Sequence, residues 1–328
     1  MGAWSDADIN DQGGRTVVIT GANSGLGLRA ATVLAAKGAR VILACRSRER
    51  GERAAAAVGG ELVLLDLADL DSVRKAAADI RDRTGDRVDL LIDNAGIPAG
   101  RFRRTVDGHE SIFATNYLGH AALTWLLMPA LRAGESARVV TVSSIAHRGK
   151  GFDIEDPGFE HRRFRMGQAY AQSKLAGLMF ALELQERLSA QGSQVLSVAA
   201  HPGFTGTELA AAGARNQGLG AFARPLNALT KALSQSVPEG TLPVLYAATA
   251  PDVQGGDYYG PQRFGEFFGG VGPARIDPRA QDQRLRARLW ERTAELTGVP
   301  PDPAYDHPAG ATDDPPQALG GRRRSDEC

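Results

Sequence analysis

Short apolar runs punctuate the first two thirds of the chain, and stretches with helical spacing fill the gaps between them. Thr16-Val17-Val18-Ile19-Thr20, Val41-Ile42-Leu43-Ala44, Leu62-Val63-Leu64-Leu65, Asp89-Leu90-Leu91-Ile92, Arg138-Val139-Val140-Thr141-Val142 and Val195-Leu196-Ser197-Val198-Ala199 read as six strands. Their apolar positions are continuous rather than alternating, which marks strands buried on both faces. Helices are predicted from the Gly-rich turn after the first run through residue 36, and near 72–83, 108–132 and 169–190. This alternation predicts an α/β chain with one doubly wound parallel sheet, helices on both faces. Such sheets bind ligands at the carboxyl ends of their strands.

Beyond Gly203 the pattern loosens. Residues 204–238 read as helical segments broken by Gly and Pro, and 238–249 as a further helix. Asp257-Tyr258-Tyr259 reads as a short last strand, for about seven in all. Residues 278–296 form an amphipathic helix that turns Leu285, Leu289, Trp290 and Leu296 toward the body. From Pro300 onward Pro, Asp, Gly and Arg dominate, and 300–328 are expected to be a disordered tail. Residues 1–14 are a polar, acidic segment without a signal-peptide pattern, which leaves 15–299 as one domain.

Composition narrows the partners. With 43% hydrophobic residues the chain of 328 can bury a core. Its 38 acidic and 38 basic residues cancel, which argues against nucleic acid or an anionic membrane as the main partner. No apolar run approaches the ~20 residues of a membrane span, so a cytoplasmic protein without a membrane anchor is expected. Cys45 and Cys328 stand far apart, so neither a disulfide framework nor a metal site is expected.

Two features carry chemistry. Thr20-Gly21-Ala22-Asn23-Ser24-Gly25-Leu26-Gly27 joins the first strand to the first helix. Its glycines let the backbone turn tightly and approach a pyrophosphate, which then rests on the helix N-terminus. Tyr170 and Lys174 lie four residues apart and share one helix face. A tyrosine alone titrates near ~10. An ammonium about 4 Å away favours the phenolate and draws the hydroxyl toward the range where general acid–base catalysis works best.

In this order, Gly21-x-x-x-Gly25-x-Gly27, Asn94-Ala95-Gly96, Ser144 and Tyr170-x-x-x-Lys174 resemble the motifs of the short-chain dehydrogenase/reductase family, from about Arg15 to Pro261. Ala44-Cys45-Arg46, Leu65-Asp66-Leu67, Thr115-Asn116-Tyr117-Leu118-Gly119-His120 and Leu289-Trp290 further resemble its retinol dehydrogenase-like branch. The resemblance implies a single Rossmann-type sheet and an alcohol–carbonyl oxidoreductase. It gives Tyr170 the role of acid–base, and Lys174 that of its activator and ribose ligand. Ser144 becomes the donor to the substrate oxygen, with Ser143 in support. Asn116 becomes the residue that bends its helix and holds a water linking Lys174 to solvent. Asn94, Ala95 and Gly96 would pack against the adenosine ribose, and Asp66 and Leu67 would meet the adenine. Pro202 and Gly203 would shape the nicotinamide pocket, followed by Thr205 and Thr207, either of which can bond the carboxamide or phosphates. His120 and His147, without a carboxylate partner in spacing, read as structural. Members commonly pair through the helices that carry Asn116 and Tyr170, which implies a homodimer or homotetramer.

Cofactor choice turns on the end of the second strand. An acid there would bind the adenosine ribose and repel a 2′-phosphate. Cys45 stands at that place and Arg46 follows. A guanidinium clamps phosphate bidentately, and Asn23 and Ser24 can add hydrogen bonds. NADP(H) is therefore expected over NAD(H). Ser144 and Tyr170 are 26 positions apart, about twice the usual family step. The insertion, about 145–169, is expected to wall the substrate site together with 204–238 and 264–270, and its Phe and Ile residues suit a hydrophobic substrate. A cofactor-binding sensor or scaffold and an epimerase or dehydratase are the competing readings.

Overall fold

Consecutive residues of each buried strand point to opposite sides of the sheet, so one apolar run feeds two cores. A computed structural model of the chain describes residues 4–98, 100–204 and 235–303. The strands are β1 (Thr16–Thr20), β2 (Arg40–Cys45), β3 (Glu61–Leu64), β4 (Leu90–Asp93), β5 (Arg138–Val142), β6 (Leu196–Ala200), β7 (Tyr258–Arg263) and β8 (Phe268–Pro273). They form one sheet in the order β3-β2-β1-β4-β5-β6-β7-β8. Val17 and Ile19 enter the core under α1 (Gly25–Ala36), α2 (Arg48–Val58) and α7 (Val237–Thr249). Val18, between them, enters the core under α3 (Leu70–Thr84), α5 (Gly119–Arg132), α6 (Met166–Ala190) and α9 (Gln283–Thr297). All three are fully buried, and each such side chain contributes about 1.5–3 kcal/mol.

The winding reverses beside β1, which pairs in parallel with β2 on one side and β4 on the other. Connections leave the sheet in opposite directions there, and a crevice opens at the carboxyl ends of β1 and β4. The Gly-rich turn and Asn94-Ala95-Gly96 both begin at this crevice.

Three elements differ from the sequence reading. The sheet has eight strands among the described residues rather than about seven, and the eighth is antiparallel to β7. Phe268-Gly-Gly-Val-Gly-Pro273 is too rich in glycine to announce itself as a strand. The helix expected over 278–296 is two, α8 (Pro278–Gln281) and α9, because the Asp282 carboxylate accepts the Leu285 amide and caps a new start. Order also runs past Pro300: Arg132 donates to both carboxylate oxygens of Asp302 at 2.8 and 2.5 Å, and Pro303 is buried. Residues 4–14 pack on the body, with Ile9 buried and Trp4 edge-on to Tyr246 at 5.1 Å.

Buried charge is handled in two ways. Between α6 and α9, Glu183 accepts from Arg187 at 2.8 Å and from Arg286 at 3.2 Å, Arg286 also reaches Glu186, and the Arg187 guanidinium lies 4.7 Å over Trp290. Asp93, the last residue of β4, has one partner: its Oδ2 accepts from Thr124 at 3.0 Å while Oδ1 has none. Burial pushes its carboxyl up to about 8, with Thr124 only partly offsetting this. Asp93 therefore keeps its proton in the folded state at neutral pH while the unfolded chain releases it near ~3.9. Stability from this group is full below that lower value and is lost as pH rises toward 8. Asp93→Asn should stabilise the protein at pH 7.5 by on the order of 1–3 kcal/mol and change little at pH 4.5, as read from urea midpoints at the two pH values.

Candidate active site

Thr20 sits where β1 ends, and its side chain organises the crevice. Its hydroxyl oxygen accepts the amides of Asn94 and Ala95, both at 2.9 Å, and its carbonyl accepts Asn94 Nδ2 at 2.9 Å. The loop after β4 is thus stitched to the turn after β1. Gly21 follows with φ +66°, and a Cβ there would come within 3.0 Å of Ala95. At Gly27 a Cβ would lie 2.5 Å from Asn94 Nδ2 and 2.8 Å from the Gly21 carbonyl. Gly25 needs its glycine for another reason, φ +56°. The half-buried Leu26 lies between the two. Ser24 is the N-cap of α1, yet its hydroxyl makes no capping hydrogen bond. A tight glycine cradle leading to a helix start without a side-chain cap fits a dinucleotide pyrophosphate.

Around this cradle stand the expected adenosine contacts. Cys45 is buried at the end of β2 against the amides of Ala22 and Asn23, and burial pushes its thiol up to about 11. Arg46 beside it is exposed. Asp66 accepts the Ala68 amide at 3.0 Å, while Leu67 is buried in the core and its carbonyl abuts Gly119. The cap of α3 is Asp69, not Asp66.

The proton-handling residues converge from three elements. Tyr170 and Lys174 lie on α6, with the Lys174 ammonium 5.8 Å from the centre of the Tyr170 ring. Lys174 is 5% exposed, and its Nζ donates to the Val142 carbonyl at the end of β5, at 2.9 Å. Ser143 and Ser144 continue that strand. Ser143 turns its hydroxyl onto the Lys174 carbonyl at 2.9 Å, and the Ser144 hydroxyl accepts the Ala146 amide at 3.2 Å. Asn116 belongs to a π-helical turn, Ala114–Leu118, that interrupts the rod between α4 (Ser111–Phe113) and α5. π-turns of this kind collect at functional sites. Its side chain accepts the Ile97 amide at 2.8 Å and donates to the Ile97 carbonyl and to Ser173 Oγ, at 3.1 and 3.0 Å. Gly96 faces both groups: a Cβ there would lie 3.3 Å from Asn116 Oδ1 and 3.6 Å from Lys174 Nζ.

The insertion packs beside Tyr170. Phe159 is buried with Ile112 and Ala169, and Ile97, Phe164 and Tyr170 pack against them. Arg162 holds the loop closed by donating to the Gly151 carbonyl, the Asp156 carbonyl and Gln172. On the other side Gly203 has φ +71°, and Gln235 Nε2 donates to the carbonyls of Pro202 and Phe267 at 3.3 and 2.5 Å. Thr205 and Thr207 lie outside the described residues.

One buried group has no sequence signal. His201 Nδ1 accepts the Gly203 amide at 3.2 Å, so Nε2 carries the proton and donates to Glu266 at 3.2 Å. Arg148 and the Arg275 amide also donate to Glu266. Burial alone would raise the Glu266 carboxyl, but His201, Arg275 and Arg148 outweigh it and hold it well below the usual carboxylate range. This clamp pins the β7–β8 turn beside Pro202 and Gly203. Its members are 65 and 118 positions apart, so no local pattern reveals them. Among the described residues, no three His, Cys, Asp or Glu side chains are grouped to hold a metal ion. No helix there is long and apolar enough to cross a membrane.

Residues 15–218 match the sequence profile of the short chain dehydrogenase family. Human retinol dehydrogenase 13 is 37% identical over 296 residues, covering 87% of this chain and 85% of that protein. Dehydrogenase/reductase SDR family member 13 of Bos taurus is 38% identical, covering 88% and 74%. A crystal structure of an uncharacterized protein from Mycobacterium paratuberculosis is 40% identical and superposes with a TM-score of 0.76, covering 91% of this chain and 98% of that one.

The cradle makes a sharp demand on Gly27. Gly27→Ala should lower stability by about 1–3 kcal/mol through the clash with Asn94 and the Gly21 carbonyl. Ala at exposed Gly167, where a Cβ meets no atom, should cost nothing or stabilise slightly, as measured by thermal unfolding.

Proposed function

Because this chain belongs to the short-chain dehydrogenase family, we propose that it is an NADP(H)-dependent oxidoreductase that interconverts an alcohol and a carbonyl on a hydrophobic small molecule. The observation that carries the reading is the Lys174 ammonium lying 5.8 Å from the Tyr170 ring while the Val142 carbonyl fixes it from β5. A nicotinamide coenzyme held there would supply or accept the hydride. In the reductive direction the Tyr170 hydroxyl delivers a proton to the substrate oxygen, and in the oxidative direction it removes one. The Ser144 hydroxyl donates a hydrogen bond to that oxygen. The positive charge of Lys174 favours the phenolate of Tyr170, and its ammonium would bind the ribose of a nicotinamide coenzyme. Asn116 keeps a water between Lys174 and solvent through which the proton is replaced.

The preference for NADP(H) rests on Cys45 standing where an acid would exclude the 2′-phosphate, and on the exposed Arg46 beside it. The cradle of Gly21, Gly25 and Gly27 supports pyrophosphate at the start of α1, with Asn23 and Ser24 in reach of the phosphates. Asp66, Leu67, Asn94, Ala95 and Gly96 border the adenosine side, and Pro202 and Gly203 the nicotinamide side. An apolar substrate is supported by Ile97, Phe159 and Phe164 packing with Tyr170, and by relatives named as retinol dehydrogenases.

Tyr170→Phe should cut turnover by about a thousandfold and leave NADPH affinity nearly unchanged, measured by net NADPH oxidation over a panel of aldehydes, ketones and quinones. Arg46→Ala should raise the KM for NADPH about tenfold without changing that for NADH. Phe164→Ala should lower kcat/KM for long apolar aldehydes about tenfold more than for short ones, compared in the same assay.

A further inference from the structure

His120 belongs to the 115–120 motif, yet the chemistry above leaves it unused. It lies on the first turn of α5, 5% exposed. Its Nδ1 is 3.2 Å from the Asn116 carbonyl oxygen, and its Nε2 is 2.9 Å from Thr20 Oγ1. These neighbours fix the direction of every proton. A carbonyl oxygen can only accept, so Nδ1 carries the hydrogen. Nε2 then offers a lone pair at 2.9 Å, and the Thr20 hydroxyl donates to it in preference to the Ile92 carbonyl, its other acceptor, at 3.4 Å. The Thr20 oxygen is left to accept, which it does from the amides of Asn94 and Ala95. Burial holds the ring neutral, its conjugate acid pushed down to about 3, with the Asn116 carbonyl opposing and Lys174 adding to the shift.

The bridge joins two halves of the site. At one end Thr20 stitches the dinucleotide turn to the loop after β4. At the other end Asn116 holds Ile97 and Ser173 in place from inside the π-turn, and Ser173 Oγ donates to the Tyr170 carbonyl at 2.8 Å. A π-turn widens the backbone ladder to i→i+5 spacing, and the His120 ring sits over the Asn116 carbonyl within it. The imidazole Nδ1–H donates to that carbonyl and so braces the turn from the side.

We propose that His120 is a positioning residue that ties the dinucleotide-binding turn to Asn116, and so sets the placement of the groups that replace the Tyr170 proton. The proposal rests on the reaction assigned above to Tyr170 and Lys174. Its effect is on turnover rather than affinity. When the bridge is lost, Asn116 shifts while the glycine cradle, held by its own hydrogen bonds, keeps the coenzyme. A misplacement of order 1 Å in such a chain costs up to about a hundredfold in rate.

The experiment compares wild type, Tyr170→Phe, His120→Leu and His120→Gln as full-length proteins. Loss of wild-type turnover in Tyr170→Phe establishes the reaction, and retention of it there would sink that reading, not the bridge. His120→Leu is expected to lower kcat tenfold or more, to leave the NADPH dissociation constant within threefold, and to shift the pH profile of kcat. His120→Gln, which keeps one donor and one acceptor, is expected to recover most of the loss. A folded His120→Leu with wild-type kcat and pH profile overturns the positioning role. Should His120→Leu fail to fold, nitrogen NMR of His120 in the wild-type protein decides. A proton on Nδ1 alone from pH 5 to 8 supports the bridge, and a proton on Nε2 overturns it.

Discussion

The hydroxyl of Thr20 holds together the two strand ends between which the winding of the sheet reverses. A crevice at such a reversal exists only if the loops leaving β1 and β4 diverge from a common point, and the Thr20 oxygen is that point. It accepts the amides of both Asn94 and Ala95, while the Thr20 carbonyl takes Asn94 Nδ2. The close contacts of Gly21 and Gly27 follow from that stitching, because loops drawn this near leave no volume for a Cβ. The pyrophosphate cradle is therefore a consequence of how the sheet is closed rather than a separate device laid over it.

Much of this was legible in the sequence, for identifiable reasons. Strands buried on both faces leave unbroken apolar runs, and β5 begins and ends where its run does. The pairing of Tyr170 with Lys174 was legible because helical geometry alone places them on one face. The resemblance gives Asn116 a bend in its helix, and the chain has a π-turn at that residue. What escaped has equally physical causes. The strand β8 is half glycine and owes its conformation to pairing with β7. Asp282 fits an amphipathic helix as well as it fits a cap, so the break between α8 and α9 is invisible before the fold exists. The clamp of Arg148, His201 and Glu266 depends on residues that only the tertiary structure brings together.

Ionisable groups in the interior illustrate how partners decide the charge state. Glu266 has three donors and stays an anion though little exposed. Glu183 is shared by two guanidiniums. Asp93 has a single hydroxyl and takes up a proton instead. Burial raises both Asp93 and Glu266, and the donors around Glu266 outweigh it where the single Thr124 hydroxyl at Asp93 does not.

The final strand has one more consequence, for behaviour in crowded solution. Open sheets carry two raw borders, each a template on which a foreign chain can lie down. Here one border is β8, with glycine at three of its six positions and a register irregularity between Pro261 and Arg263 on its neighbour. The register irregularity and the proline that ends β8 spoil a long match for an incoming strand. The same hairpin whose turn carries Glu266 thus also limits lateral growth, a safeguard against accretion written in the least conspicuous residues of the chain.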